Sequence, residues 1–134
     1  MFAVAVTGRG PATSDVRHGF ARLAERAAGE DHVAAEICHD LAALLERLGD
    51  LAAAEAFHRR AGLLLVGIPT GHAIDRDRIR WARNLAANLA AQQRSAEAAD
   101  VLRAAIVLSE CLLGVDDLET TETALALEAL VDHV

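Results

Sequence analysis

The chain has 134 residues, 53% of them hydrophobic, which is enough for one domain with a real core and too little for two. A formal net charge of -7 argues against a general nucleic-acid binder or a ligand for anionic membranes, both of which need a basic footprint. Aromatics make up only 3% and Tyr is absent, so strands would lack their usual filling and an all-α fold is expected.

In chain order, "MFAVAV" is too short for a signal h-region and has no basic residue before it, and no apolar run reaches the roughly 18 residues of a membrane span. A cytoplasmic protein is expected. "TGRGPATSD" reads as a flexible lead-in over residues 1 to 13, with Ser14 or Asp15 capping the first helix of a single domain over residues 14 to 134. Helices are expected at about 15 to 28, 32 to 48, 51 to 66, 73 to 91, 95 to 113 and 117 to 132. The breaks between them are "GED", "GD", "GIPTG", "QQRS" and "GVDD". Six helices on short links must mostly be antiparallel neighbours. Cys38 and Cys111 are far apart and outside any CxxC pair, so both read as free buried thiols. Every basic residue is arginine, which suggests the coding bias of a GC-rich bacterial genome.

An internal repeat organises these helices. Shifting "LGDLAAAEAFHRRA" by 44 positions lands on "QQRSAEAADVLRAA", matching Ala54 to Ala98, Arg59 to Arg103 and Ala61 to Ala105, and the same shift carries "LAALL" onto "LAANL". A shift of 42 then places Ala82, Leu85 and Ala87 on Ala124, Leu127 and Ala129. Hairpins that stack need close backbones, so Ala54, Ala61, Ala98 and Ala105 are expected at the helix crossings. Leu41, Leu45, Leu85, Leu89, Val101, Leu102 and Leu127 would fill the layers between them.

The pattern Leu41-Ala42-x-x-Leu45, Gly49-Asp50-Leu51-x-x-Ala54, Arg59-x-Ala61 resembles a tetratricopeptide repeat. Gly114, Asp116, Glu119 and Thr120 resemble the loop that opens first helices in the kinesin-light-chain-type subclass. The sequence departs from the family where His58 and Leu102 replace an aromatic, where Gln93 replaces a turn glycine and where Glu128 occupies a small-residue site. The resemblance implies a short right-handed superhelix of stacked hairpins over roughly residues 30 to 130. It also implies a protein-binding role for the concave face lined by first helices, with no enzymatic activity and no cofactor.

On that face Arg76, Arg80, Asn84 and Asn88 follow one another at i+4 spacing with Arg83 beside them, a stripe suited to an acidic peptide. By the family's habit Asn84 would hold peptide backbone, while His39 and Asp40 would share the face and Leu44, Ala87 and Leu130 would form its floor. A structural reading competes, because registry aligns Glu36, Arg80 and Glu122 as a salt-bridge ladder; Arg76 and Arg83 have no acidic equivalents in that registry. The terminal helices, 15 to 28 and 117 to 132, would leave apolar end faces through which a homodimer could form.

The alternative function is metal binding. "EICH" and "EAFH" set Glu36/His39 and Glu55/His58 at i,i+3 spacing on consecutive helices, the pairing that lets a carboxylate and an imidazole share an iron or manganese ion. A di-metal centre also needs glutamates from two further helices, and registry turns His58 inward while His39 faces the groove. A packed, hydrogen-bonded His58 is the competing expectation. No nucleophile elbow, phosphate-cradling glycine loop or H-E-x-x-H is present. A helix-turn-helix over residues 82 to 108 would bring Glu97 and Asp100 against a DNA backbone.

Overall fold

The computed structural model describes residues 13–69 and 71–132, so the lead-in expected over residues 1 to 13 lies outside the described residues except for Thr13, which belongs to the first helix. Five helices and no strand occur among the described residues: α1 (Thr13–Arg47), α2 (Leu51–Val66), α3 (His72–Ala91), α4 (Ser95–Leu112) and α5 (Leu118–Val131). The protein is all-α. α1 packs along α2, α3 along α4, and α5 closes against α4 and α3, giving two helical hairpins and a terminal helix.

The last four helices begin and end within a residue of the expected positions, but the expected break at "GED" is absent. α1 runs unbroken through Gly29, Glu30 and Asp31 and opens at Thr13, just ahead of the expected cap at Ser14 or Asp15. The reason is local. A glycine inside a helix costs only about 1 kcal/mol, and a chain reverses direction where the residue after the helix turns left-handed and closes a hairpin. Gly49 (φ 88°) and Gly114 (φ 99°) do this, whereas Gly29 is not left-handed.

The repeat is visible in these turns. Gly49 N–H donates to the Glu46 carbonyl and Asp50 N–H to the Leu45 carbonyl; 44 positions on, Gln93 N–H donates to Ala90 and Arg94 N–H to Leu89. Gln93 holds φ 67°, so the second turn keeps the left-handed geometry of the first without its glycine. Asp50 then caps α2 by accepting from Ala53 N–H at 3.1 Å, and Asp117 caps α5 by accepting from Glu119 N–H at 2.9 Å.

Small residues sit at the crossings as the repeat requires: Ala54 and Ala98 are fully buried, and Ala61 and Ala105 nearly so. One apolar cluster gathers Ala35, Cys38, Ala61, Leu65 and Ile68, and a second gathers Leu85, Ala86, Leu89, Ala98 and Leu102. Trp81 packs against both. Its ring lies so close over α2 that a Cβ on Gly62 would fall 2.3 Å from Trp81 Cζ2, and its Nε1–H donates to the His58 carbonyl. Not every expected core position is filled as foreseen. Leu41 is exposed, and Cys111 is an exposed thiol whereas Cys38 is buried; Leu44 and Ala87, expected in the floor of the concave face, are exposed as well. Among the described residues, Leu41 and Leu44 lie on a part of α1 that no other helix covers.

Candidate functional site

Three arginines of α3, Arg76, Arg80 and Arg83, face the start of α5, which answers them, whereas Arg78 turns to Asp75 and the Leu65 and Ile68 carbonyls. Arg76 holds Asp117 through two parallel bonds, Nη1 to Oδ1 at 2.9 Å and Nη2 to Oδ2 at 2.6 Å. Arg80 Nε donates to Glu119 Oε2 at 2.6 Å, and Arg83 Nη2 lies 2.8 Å from Glu119 Oε1. Arg83 Nη1 also reaches the Glu119 carbonyl and Thr123 Oγ1. Glu119 is 3% exposed: burial works to raise its pKa, but Arg83 and Arg80 outweigh burial and hold the carboxyl below its ordinary range. Three of the cations expected to grip an acidic guest are therefore turned on internal carboxylates. Arg76 and Arg83 do have acidic partners, because capping puts Asp117 and Glu119 at the start of α5, ahead of the position that registry alone compares. For Arg80 the partner is Glu119 and not the aligned Glu122.

Asn88 is likewise drawn inside. It is 2% exposed, and its amide donates to Glu46 Oε2 at 3.0 Å and to the Leu51 carbonyl at 3.1 Å while its oxygen accepts from Gln92 at 2.7 Å. His58, also buried, donates from Nε2 to the same Glu46 oxygen at 3.1 Å. These groups tie α1, α2 and α3 together, so Asn88 is part of the interior and not of a binding surface.

Asn84, His39 and Asp40 do share an open face. Asn84 Nδ2 donates to His39 Nδ1 at 3.4 Å across the gap between α1 and α3. With His32, Glu36, Asp77 and Arg80 they rim a cleft of about 310 Å³ whose floor is Ala61, Leu65 and Trp81. The floor differs from the expected Leu44, Ala87 and Leu130 because α2, the second helix of its hairpin, shows through the gap between the two first helices. Glu36, Asp40 and Asp77 give the rim three carboxylates, against one guanidinium already engaged by Glu119.

The two Glu-x-x-His pairs do not converge. The His39 and His58 rings stand 6.2 Å apart, but Glu36 approaches His32 (3.5 Å) and Glu55 faces away toward α4. There Glu55 accepts from Arg94 at 2.5 Å, from Gln92 at 3.0 Å and from Arg59 at 2.8 Å. The Arg94 bond leads the causes that lower its pKa to about 2, with burial opposing. A different trio does meet: His32 Nε2 lies 2.6 Å from Asp77 Oδ2 and 3.5 Å from Glu36 Oε1. His32 and Asp77 were not legible as a pair, since 45 residues separate them; the only local signal was the i,i+4 spacing of His32 and Glu36.

Elsewhere Ser109 is fully buried and shares a 2.5 Å hydrogen bond with Thr120, which in turn donates to the Gly114 carbonyl, so it fastens α4 to the start of α5. No helix among the described residues is long and apolar enough to cross a membrane. No family model, curated protein or solved structure matches this chain.

Proposed function

We propose that the protein is a non-enzymatic, cytoplasmic interaction module of the tetratricopeptide-repeat kind, binding a short segment of a protein partner in the α1–α3 cleft. The observation that supports this is the cleft itself: an apolar floor of Ala61, Leu65 and Trp81, walled by the first helices of two stacked hairpins. The internal pairing of Arg76, Arg80 and Arg83 changes the guest chemistry from the acidic peptide suggested by sequence. Glu36, Asp40 and Asp77 suit a segment presenting a lysine or arginine beside an apolar side chain, with Asn84 placed to bond its backbone.

Selection of random displayed peptides on the purified protein tests this reading. Enrichment of basic-apolar sequences that bind the parent and lose affinity at least about tenfold to an Asp40→Lys variant supports it. Failure to enrich any sequence, or equal binding to Asp40→Lys, overturns it.

A second surface supports self-association. Val33, Ile37, Leu41 and Leu44 are all exposed and follow one another at intervals of three and four along a single face of α1, and exposed Leu48 continues the spacing just past its end. We assign this stripe, in place of the separate terminal helix expected from sequence, as the surface through which two copies would pair.

A further inference from the structure

We propose that His32, Glu36 and Asp77 form a binding site for one divalent transition-metal ion of the zinc class, clipping α1 to α3 at the end of the cleft. The site shares Glu36 and Asp77 with the rim of the cleft, but its metal binding is argued and tested without any peptide.

Three donor atoms from two helices already converge. His32 and Glu36 stand one helical turn apart on the same face of α1, and Asp77 comes from the first two turns of α3. The donor atoms all lie within 4.8 Å of one another. Ligand bonds of about 2.0–2.2 Å place neighbouring donors about 3–3.5 Å apart in tetrahedral or octahedral geometry, so small side-chain rotations suffice. The close His32–Asp77 contact need only open by a few tenths of an ångström.

Donor chemistry selects the metal. One imidazole with two carboxylates favours zinc and its transition-series neighbours over magnesium or calcium, which take oxygen. The site's two negative charges match a divalent cation. In the metal-free arrangement the Nε2 proton of His32 is donated to Asp77; on binding, that nitrogen gives its lone pair to the metal. A neutral ring gives up that Nε2 proton to solvent and takes one up on Nδ1, and a doubly protonated ring keeps its Nδ1 proton and releases the Nε2 proton to solvent. Glu36 is largely exposed, its side chain 63% accessible, so water completes the coordination sphere on the open side.

The chelate would have a mechanical consequence. α1 meets α3 over only a small area and is held to it chiefly through α2, so a metal bridge adds a direct link between the two walls of the cleft.

The test uses the untagged full chain, demetallated and then titrated with Zn²⁺ by calorimetry, with Co²⁺ absorption as a spectroscopic check. One ion per chain is expected, with a rise in melting temperature of about 5–10 °C at a hundredfold excess over the dissociation constant. Glu36→Gln and Asp77→Asn should each weaken binding at least about tenfold, and His32→Ala should remove the imidazole contribution to the Co²⁺ spectrum. Glu36 is exposed enough that its variant keeps the fold, and Glu122→Gln on α5 should leave binding unchanged. Absence of stoichiometric Zn²⁺ binding, or undiminished binding in Glu36→Gln together with His32→Ala, overturns the proposal.

Discussion

Substituting Gly62 by alanine is the sharpest test of the packing described above. On propensity alone the change should help, because alanine is favoured over glycine inside a helix by about 0.8–1 kcal/mol. The fold says otherwise. The new Cβ would sit 2.3 Å from Trp81 Cζ2 and 2.7 Å from Cε2 and Cη2, inside any contact a methyl group can make. The indole must move, although it packs against both apolar clusters and its Nε1–H is held by the His58 carbonyl. Overpacking of this kind costs about 1–3 kcal/mol, and loss of the indole hydrogen bond adds about 0.5–1.5 kcal/mol. After subtracting the propensity gain, Gly62→Ala should destabilise by about 1–3 kcal/mol, a fall in melting temperature of about 4–12 °C. Trp81 is the only tryptophan, so its emission reports the displaced ring directly while denaturant titration gives the free energy. In a Trp81→Leu background the same substitution should cost far less, since the clash has been removed. A Gly62→Ala protein more stable than the parent, with unchanged emission, would refute the close approach of α2 and Trp81.

Gln93→Gly should stabilise by about 0.5–1 kcal/mol by relieving the left-handed backbone at φ 67°, measured by chemical denaturation; destabilisation would contradict the turn geometry. Asn88→Ala should cost about 1–3 kcal/mol by leaving Glu46 and the Leu51 carbonyl short of a donor in the interior. Glu55 has a folded pKa near 2 and an ordinary value of 4.5, so its contribution is present above about pH 4.5 and fades as pH falls toward 2. Glu119, also lowered, acts in the same direction. Glu55→Gln should therefore flatten the loss of stability on acidification between those values, as followed by circular dichroism. Ile37→Glu and Leu41→Glu should shift sedimentation toward monomer if the α1 stripe joins two copies, and unchanged sedimentation of a dimeric parent would direct attention to α5.

The sequence by itself determined much of the scaffold. Alanines at a fixed period, glycine-aspartate breaks and the 44-residue offset were enough to locate α2 through α5, because each of these signals acts within a turn or two of its own position. The buried crossings at Ala54, Ala61, Ala98 and Ala105 follow from the same periodicity. What happens at Gly29 was not legible. Glycine lowers helix stability without terminating a helix, and whether the chain turns back depends on left-handed closure and on packing beyond the turn. The charged residues were still less legible. A side chain's availability depends on what faces it from another element, and only the tertiary structure sets Asp117 and Glu119 against the α3 arginines, buries Asn88 beside Glu46, and brings Asp77 to His32 across 45 residues. Helix positions come from local conformational energy and apolar spacing, whereas the character of the cleft comes from long-range charge pairing that no periodicity encodes.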